Sequence, residues 1–190
     1  MKPKRLVIGI SGASGVIYGV RLLEILQQFP DIETHVVFSS AAEQNIAIET
    51  SHSFEAVQAM ADVVYPIHNL AASISSGSFL TLGMVVIPCS IKSLSGIVNS
   101  YNDNLLTRAA DVTLKERRKL VVVPRETPLH KGHLEMMIRL VDYGGVLIPP
   151  IPAFYHSPKS IQDIIDQTLG KVLDQFGIPH ELFQRWSTPE

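Results

Sequence analysis

The side chains of this chain best suited to chemistry stand directly after apolar runs. Gly12-Ala13-Ser14-Gly15 follows the run 6–10, with Ser11 at the junction. Ser39 and Ser40 follow 35–38, and Pro88-Cys89-Ser90-Ile91-Lys92-Ser93 follows 84–87. Pro124-Arg125-Glu126 follows 120–123, and a proline-rich turn leads from 146–148 to Phe154-Tyr155-His156. Hydroxyls, a guanidinium and a carboxylate therefore gather on one rim. The glycine turn lets the backbone approach a ligand closely. Where it opens a helix, backbone N–H groups and the Ser11 and Ser14 hydroxyls form a ready anion site. The chemistry predicted is the grip of a phosphate-bearing ligand at the first loop.

Known loop patterns narrow that reading. The turn matches neither the dinucleotide fingerprint G-x-G-x-x-G nor the P-loop G-x-x-x-x-G-K-[ST]. It is not a nucleophile elbow either, because Gly15 follows Ser14 directly.

The elements that must position these loops follow from periodicity. Strand-like runs lie at 6–10, 35–38, 84–87, 120–123 and 146–148, with a weaker one at 63–65. Helical stretches are predicted at 16–29, 41–48, 54–61, 105–118, 133–141 and 161–176. Near-continuous apolar strands alternating with helices predict a parallel sheet covered on both faces. The fold class is α/β: a three-layer, Rossmann-like or flavodoxin-like fold. In such folds ligands bind outside the carboxyl ends of the strands, where the loops above converge. Residues 1–190 read as a single domain, and 177–190, with Trp186, as an arm docking on a neighbouring subunit.

Composition sets the remaining bounds. Hydrophobic residues make up 46% and charged residues 18%, an apolar balance whose outlet is subunit contact. No apolar run reaches the roughly 18 residues of a membrane span. A net charge of −2 argues against a nucleic-acid binder. The single cysteine, Cys89, excludes an internal disulfide framework and reads as a small buried residue. No secretory leader is evident, so the expected location is the cytoplasm. His130, His133 and Glu135 lie close in sequence, but H-x-x-H alone does not make a zinc site, and no metal is expected.

Longer blocks carry a resemblance. GISGASG at 9–15, SSAAEQNIAIET at 39–50, ASISSGS at 72–78 and PCSIKSLSGI at 88–97 resemble the UbiX-type flavin prenyltransferases. So do NLLTRAADVTLKERRKLVVVPRETPLH at 104–130, PAFYHSP at 152–158 and the terminal LFQRW. The resemblance implies a metal-independent transferase that joins a dimethylallyl group to N5 and C6 of reduced FMN. The donor would be dimethylallyl phosphate, and the product, prenylated FMN, the cofactor of a partner UbiD-type decarboxylase. It also implies a homo-oligomer, commonly a dodecamer, with pockets between subunits. Two rival readings are a direct decarboxylase of aromatic acids and a passive FMN carrier.

Residue by residue, the resemblance assigns FMN to Gly12, Ala13, Ser14, Ser39, Ser90, Ile91, Lys92, Ser93 and Arg125. It assigns the prenyl phosphate to Lys115, Arg125, Glu126, Tyr155 and Lys171, with Trp186 shielding a cation. Some family members carry Arg at the position of Lys171; Lys keeps the charge but not the bidentate fork. The catalytic roles implied are proton relay for Glu126 and Ser14, and proton acceptance from flavin C6 for Glu49. Arg108 and Lys115, seven apart, share a helix face that would meet a neighbour's site. Arg117, Arg118 and Lys119 read as a solvated helix end.

Overall fold

The structure, a computed structural model, describes residues 3–186. The last four residues of the expected arm, 187–190, lie outside the described residues. Six parallel strands form one sheet in the order β3-β2-β1-β4-β5-β6. They are β1 (Lys4–Ile10), β2 (Ile32–Phe38), β3 (Val63–Tyr65), β4 (Gly83–Cys89), β5 (Lys119–Pro124) and β6 (Val146–Leu147). The helices are α1 (Val16–Leu26), α2 (Ser40–Glu49), α3 (Phe54–Gln58), α4 (Ile91–Val98), α5 (Leu105–Lys115), α6 (Lys131–Asp142) and α7 (Ile161–Phe176).

Both faces of the sheet are buried, and side-chain alternation shows how. Leu6, Ile8 and Ile10 of β1 join Val85, Ile87, Val121 and Val123 in a core under α1 and α7. Val7, Met84, Val86, Leu120 and Val122 point the other way, into a core under α4, α5 and α6. Successive residues of a strand face opposite sides, so an unbroken apolar run is what two covered faces require. The three-layer α/β class expected from the sequence is the class observed.

Helices α1, α3 and α5 each end three residues before the expected boundary, at Leu26, Gln58 and Lys115, and two further elements depart from the sequence reading. β2 begins at Ile32 rather than at position 35, because polar Thr34 is buried with a partner of its own. Its backbone N–H and its hydroxyl each donate to Asp62 Oδ2 at 2.7 Å. Helix α4 was missed altogether. Its apolar positions, Ile91, Leu94, Ile97 and Val98, keep helical spacing behind the Ser90 cap, whose hydroxyl accepts from Ser93 N–H. The serines between them disguised the pattern.

Strand order reverses between β1 and β4, each the neighbour of the other. β1 runs on to β2 on one side, and β4 runs on to β5 on the other. A crevice forms at such a switch point, outside the carboxyl ends of the strands.

Candidate functional site

Ser11 fixes the floor of that crevice. Its hydroxyl donates to the Pro88 carbonyl at 2.9 Å and accepts from Ser90 N–H at 2.7 Å. Ser11 is fully buried, so it ties the ends of β1 and β4 together and does not face a ligand. That corrects its place in the expected anion site.

A second correction concerns the N-terminus of α1. Glu49 Oε2 accepts from Gly15 N–H at 2.7 Å and from Val16 N–H at 3.2 Å. Gly15, the N-cap, sits at φ 95 and has no side chain to cap the helix itself. The carboxylate of α2 supplies the cap from another element. It also places a negative charge at the positive end of α1, where a phosphate was expected.

The helix N-termini that face a cleft are those of α2 and α4 instead. Ser39 caps α2 and Ser90 caps α4, each accepting from a first-turn N–H. Between them lies a cleft of about 830 Å³, the size of a cofactor site. Gly12, Ser39, Ser90, Lys92 and Ser93 line it, five of the residues expected to bind a cofactor. Gly12 must be glycine here, since a Cβ at that position would overlap the Ala41 methyl at the start of α2. Ala13 is buried beside the turn, and Ile91 packs into the core under α4.

Sequence reasoning missed the cleft's outer wall. Tyr101, Asp103, Asn104 and Thr107 line it from the α4–α5 connection and the start of α5. The available signal was Tyr101, an aromatic residue in a polar run, which is largely exposed.

A second group stands past the end of β5. Arg125 Nε donates to the Ser14 carbonyl at 3.2 Å, joining the first loop to the fifth. Glu126 is exposed and accepts from Thr127 N–H at 3.0 Å, so its carboxylate is not paired with Arg125. Tyr155 meets Trp186 edge-on with ring centroids 5.8 Å apart. Lys171, on α7, holds its ammonium 5.4 Å from the Phe183 ring centroid.

Lys115 stands apart from these residues. It ends α5, pairs with Glu116 and lies against Gly77, before β5 begins. Arg125 lies just beyond the other end of β5, so the strand's length separates the two residues within one chain. Arg118 is not a free solvated end: it is half-buried and donates to the Phe79 carbonyl at 2.8 Å. Cys89 is 0% exposed, and burial pushes its thiol up to about 12. It is the small buried residue the sequence predicted. Among the described residues, no group of three or more His, Cys, Asp or Glu side chains is placed to hold a metal. His130 instead caps α6, its Nδ1 accepting from Gly132 N–H at 3.1 Å. No helix among the described residues is long and apolar enough to cross a membrane.

A doubly wound parallel sheet with serine-capped helices around a switch-point cleft defines a nucleotide- or flavin-binding class of protein. The family model "Flavoprotein" matches residues 1–174. The chain is 62% identical over 185 residues to the flavin prenyltransferase UbiX of Escherichia coli K12, covering 96% of this chain and 98% of that one. Its structure is similar to that of AnUbiX in complex with FMN and dimethylallyl pyrophosphate, with TM-score 0.96, 44% identity and full coverage of both chains. It is also similar to a dodecameric FMN-dependent UbiX-like decarboxylase from Escherichia coli O157:H7, with TM-score 0.95 and 49% identity, covering 97% of this chain and 100% of that one. The chain belongs to the Flavoprotein family and, within it, to the UbiX-type flavin prenyltransferases.

Proposed function

We propose that this chain transfers a dimethylallyl group from dimethylallyl phosphate to N5 and C6 of reduced FMN. The observation that carries this reading is the switch-point cleft, floored by the Gly12 turn and flanked by the capped N-termini of α2 and α4. Its donor set fits a flavin mononucleotide. Hydroxyls, first-turn N–H groups and the Lys92 ammonium suit the phosphate, while Ile67 and Leu106 give the cleft apolar wall. Ser39, Ser90, Lys92 and Ser93 would hold the phosphate end. Gly12, Ala13, Ser14, Ile91 and Arg125 would border the rest. Bound there, a reduced flavin would supply the electron-rich N5 and C6, each of which bonds a different carbon of the dimethylallyl unit.

The chain's own residues then manage charge and protons. Breaking an allylic C–O bond leaves phosphate and a developing carbocation. Arg125, anchored through Nε to Ser14, keeps its other nitrogens for the leaving oxygens, and Tyr155 and Lys171 complete the clamp. Lys115 joins them from a neighbouring copy, because its own helix, α5, carries it to the far end of the sheet. Trp186 and Tyr155 turn π surface toward the cation and exclude water. Glu126 relays a proton to the departing phosphate, with Ser14 as second relay. Glu49 keeps Oε1 clear of the α1 cap and takes the proton released at flavin C6.

The same reading makes the chain a single cytoplasmic domain that works as a dodecamer. Leu134, Ile138 and Val141 form an exposed apolar row on α6 that such packing would cover. The arm folds on its own α7, and the exposed face of Trp186, 74% exposed, would meet a neighbouring subunit. The product would serve a UbiD-type decarboxylase.

The deciding experiment is anaerobic incubation with reduced FMN and dimethylallyl phosphate, followed by mass spectrometry of the extracted flavin. The expected result is a gain of one dimethylallyl unit, lost in Glu126→Gln. Unchanged flavin, with CO₂ released from an aromatic acid by this protein alone, would overturn the reading in favour of a decarboxylase. FMN bound and released unaltered, without CO₂, would favour a carrier.

A further inference from the structure

Beyond α7 the chain doubles back over its own helix. Asp174, in the last turn of α7, collects three donors from the returning segment. Arg185 Nη1 donates to Oδ2 at 3.0 Å and Arg185 Nη2 to Oδ1 at 2.6 Å, a bidentate fork. His180 Nε2 lies 3.1 Å from Oδ1. The His180 tautomer follows from its other nitrogen: Nδ1 accepts from Leu182 N–H at 3.3 Å, so Nε2 carries the hydrogen and donates. Arg185 holds the Asp174 carboxyl below the usual carboxylate range, with help from His180.

What this grip positions is chemically pointed. Phe183 has two cations near its ring, with Lys171 Nζ 5.4 Å and Arg185 Cζ 5.5 Å from the centroid. One residue past Arg185, Trp186 meets Tyr155 at an interplanar angle of 85°. The segment seats itself on Gly170, where a Cβ would come within 2.6 Å of His180 Cε1 and overlap the Phe183 ring. The Asp174–Arg185 pair is too exposed to matter much to the whole fold, since the Arg185 side chain is 56% exposed. Its effect is local, on the segment it ties down.

We propose that Asp174 is a positioning residue of the prenyl-donor site: by gripping Arg185 and His180 it folds the arm onto α7, bringing Trp186 to Tyr155 and Phe183 beneath the Lys171 ammonium. The proposal rests on the transferase reading above for the identity of the donor. Asp174 touches no reacting atom and acts through the arm alone.

Trp186 is the only tryptophan of the chain, so its emission reports the arm directly. In the full-length protein, Asp174→Asn is expected to raise acrylamide quenching of Trp186 about twofold and KM for dimethylallyl phosphate about tenfold. FMN affinity is expected to stay within about twofold, kcat to fall together with the rise in KM because Trp186 also faces the developing cation, and Asp174→Glu to recover most of both losses. Gly170→Ala is expected to give the same two changes by sterics, with the gain in helix propensity offsetting part of the packing it disturbs. Dimethylallyl phosphate alone is expected to protect Trp186 from quenching in the wild type and not in Asp174→Asn. Quenching and KM unchanged in both variants would overturn the proposal. So would quenching that rises without a change in KM, or FMN affinity and melting temperature that fall in step with KM. A wild type that transfers no prenyl group would sink the transferase reading, and donor protection of Trp186 would still decide the arm's role.

Discussion

The Glu49 carboxylate lies 2.7 Å from the Gly15 backbone nitrogen, so one helix's last residue closes the first turn of another. Because Oε2 is committed to this cap, the acid at position 49 has one structural oxygen and one free oxygen. Glu49→Gln keeps a carbonyl oxygen for Gly15 and Val16 but loses the basic site. The expected outcome is FMN affinity within about twofold of wild type and a transferase rate lower by about 10²–10⁴-fold. Glu49→Ala removes the cap as well, and its unfolding free energy should fall by about 1 kcal/mol. Flavin titration, rapid-quench mass analysis and denaturant melts separate the two roles.

The Gly12 turn and Ala41 share one space, which makes a compensating pair. Gly12→Ala is expected to cost about 1–3 kcal/mol of stability through overpacking, and to weaken FMN binding. Ala41→Gly alone costs about 1 kcal/mol through helix propensity. The double variant should regain FMN binding that Gly12→Ala lost, a coupling measurable by a double-mutant cycle.

His35 gives a pH dependence whose sign is fixed. It is 3% exposed, its Nδ1 is 2.9 Å from the Tyr65 hydroxyl, and burial lowers its pKa from 6.5, opposed by Glu33. The folded protein therefore binds this proton less readily than the unfolded chain. The stability that His35 contributes is present above pH 6.5 and is lost as pH falls from there through the lower folded value. Urea melts between pH 7.5 and about 5 should show this loss in wild type. His35→Gln should flatten that part of the profile.

Cys89 should be silent toward thiol reagents. With its pKa pushed up to about 12 and the thiol buried, almost no thiolate exists at neutral pH. Iodoacetamide at pH 8 is expected to leave the native protein unlabelled and to label it fully in denaturant, read by intact mass. Labelling of the native protein at the rate of a free thiol would contradict the burial observed here.

The sheet and most of its loops were legible because their signal is local. Apolar runs such as 84–87 and 120–123 can be satisfied only between two layers, so they announced a covered parallel sheet. The 91–98 helix escaped because Ser93 and Ser95 interrupt its apolar face. The start of β2 escaped because Thr34 is polar, yet is satisfied by Asp62, 28 positions away. A partner at that distance leaves no trace in a window of neighbouring residues.

The sequence by itself determined the α/β class, the strand-end loops and the types of side chain offered there, since each depends on hydrophobic period or short-range backbone geometry. The tertiary structure decided what those side chains are free to do. It committed Ser11 to the β1–β4 junction and Glu49 to the α1 cap, and left the N-termini of α2 and α4 facing the cleft. It also set Lys115 at the opposite end of the sheet from Arg125, and bound Asp174 to Arg185. Each of these outcomes depends on distances between residues remote in sequence, and such distances come into being only when the layers pack.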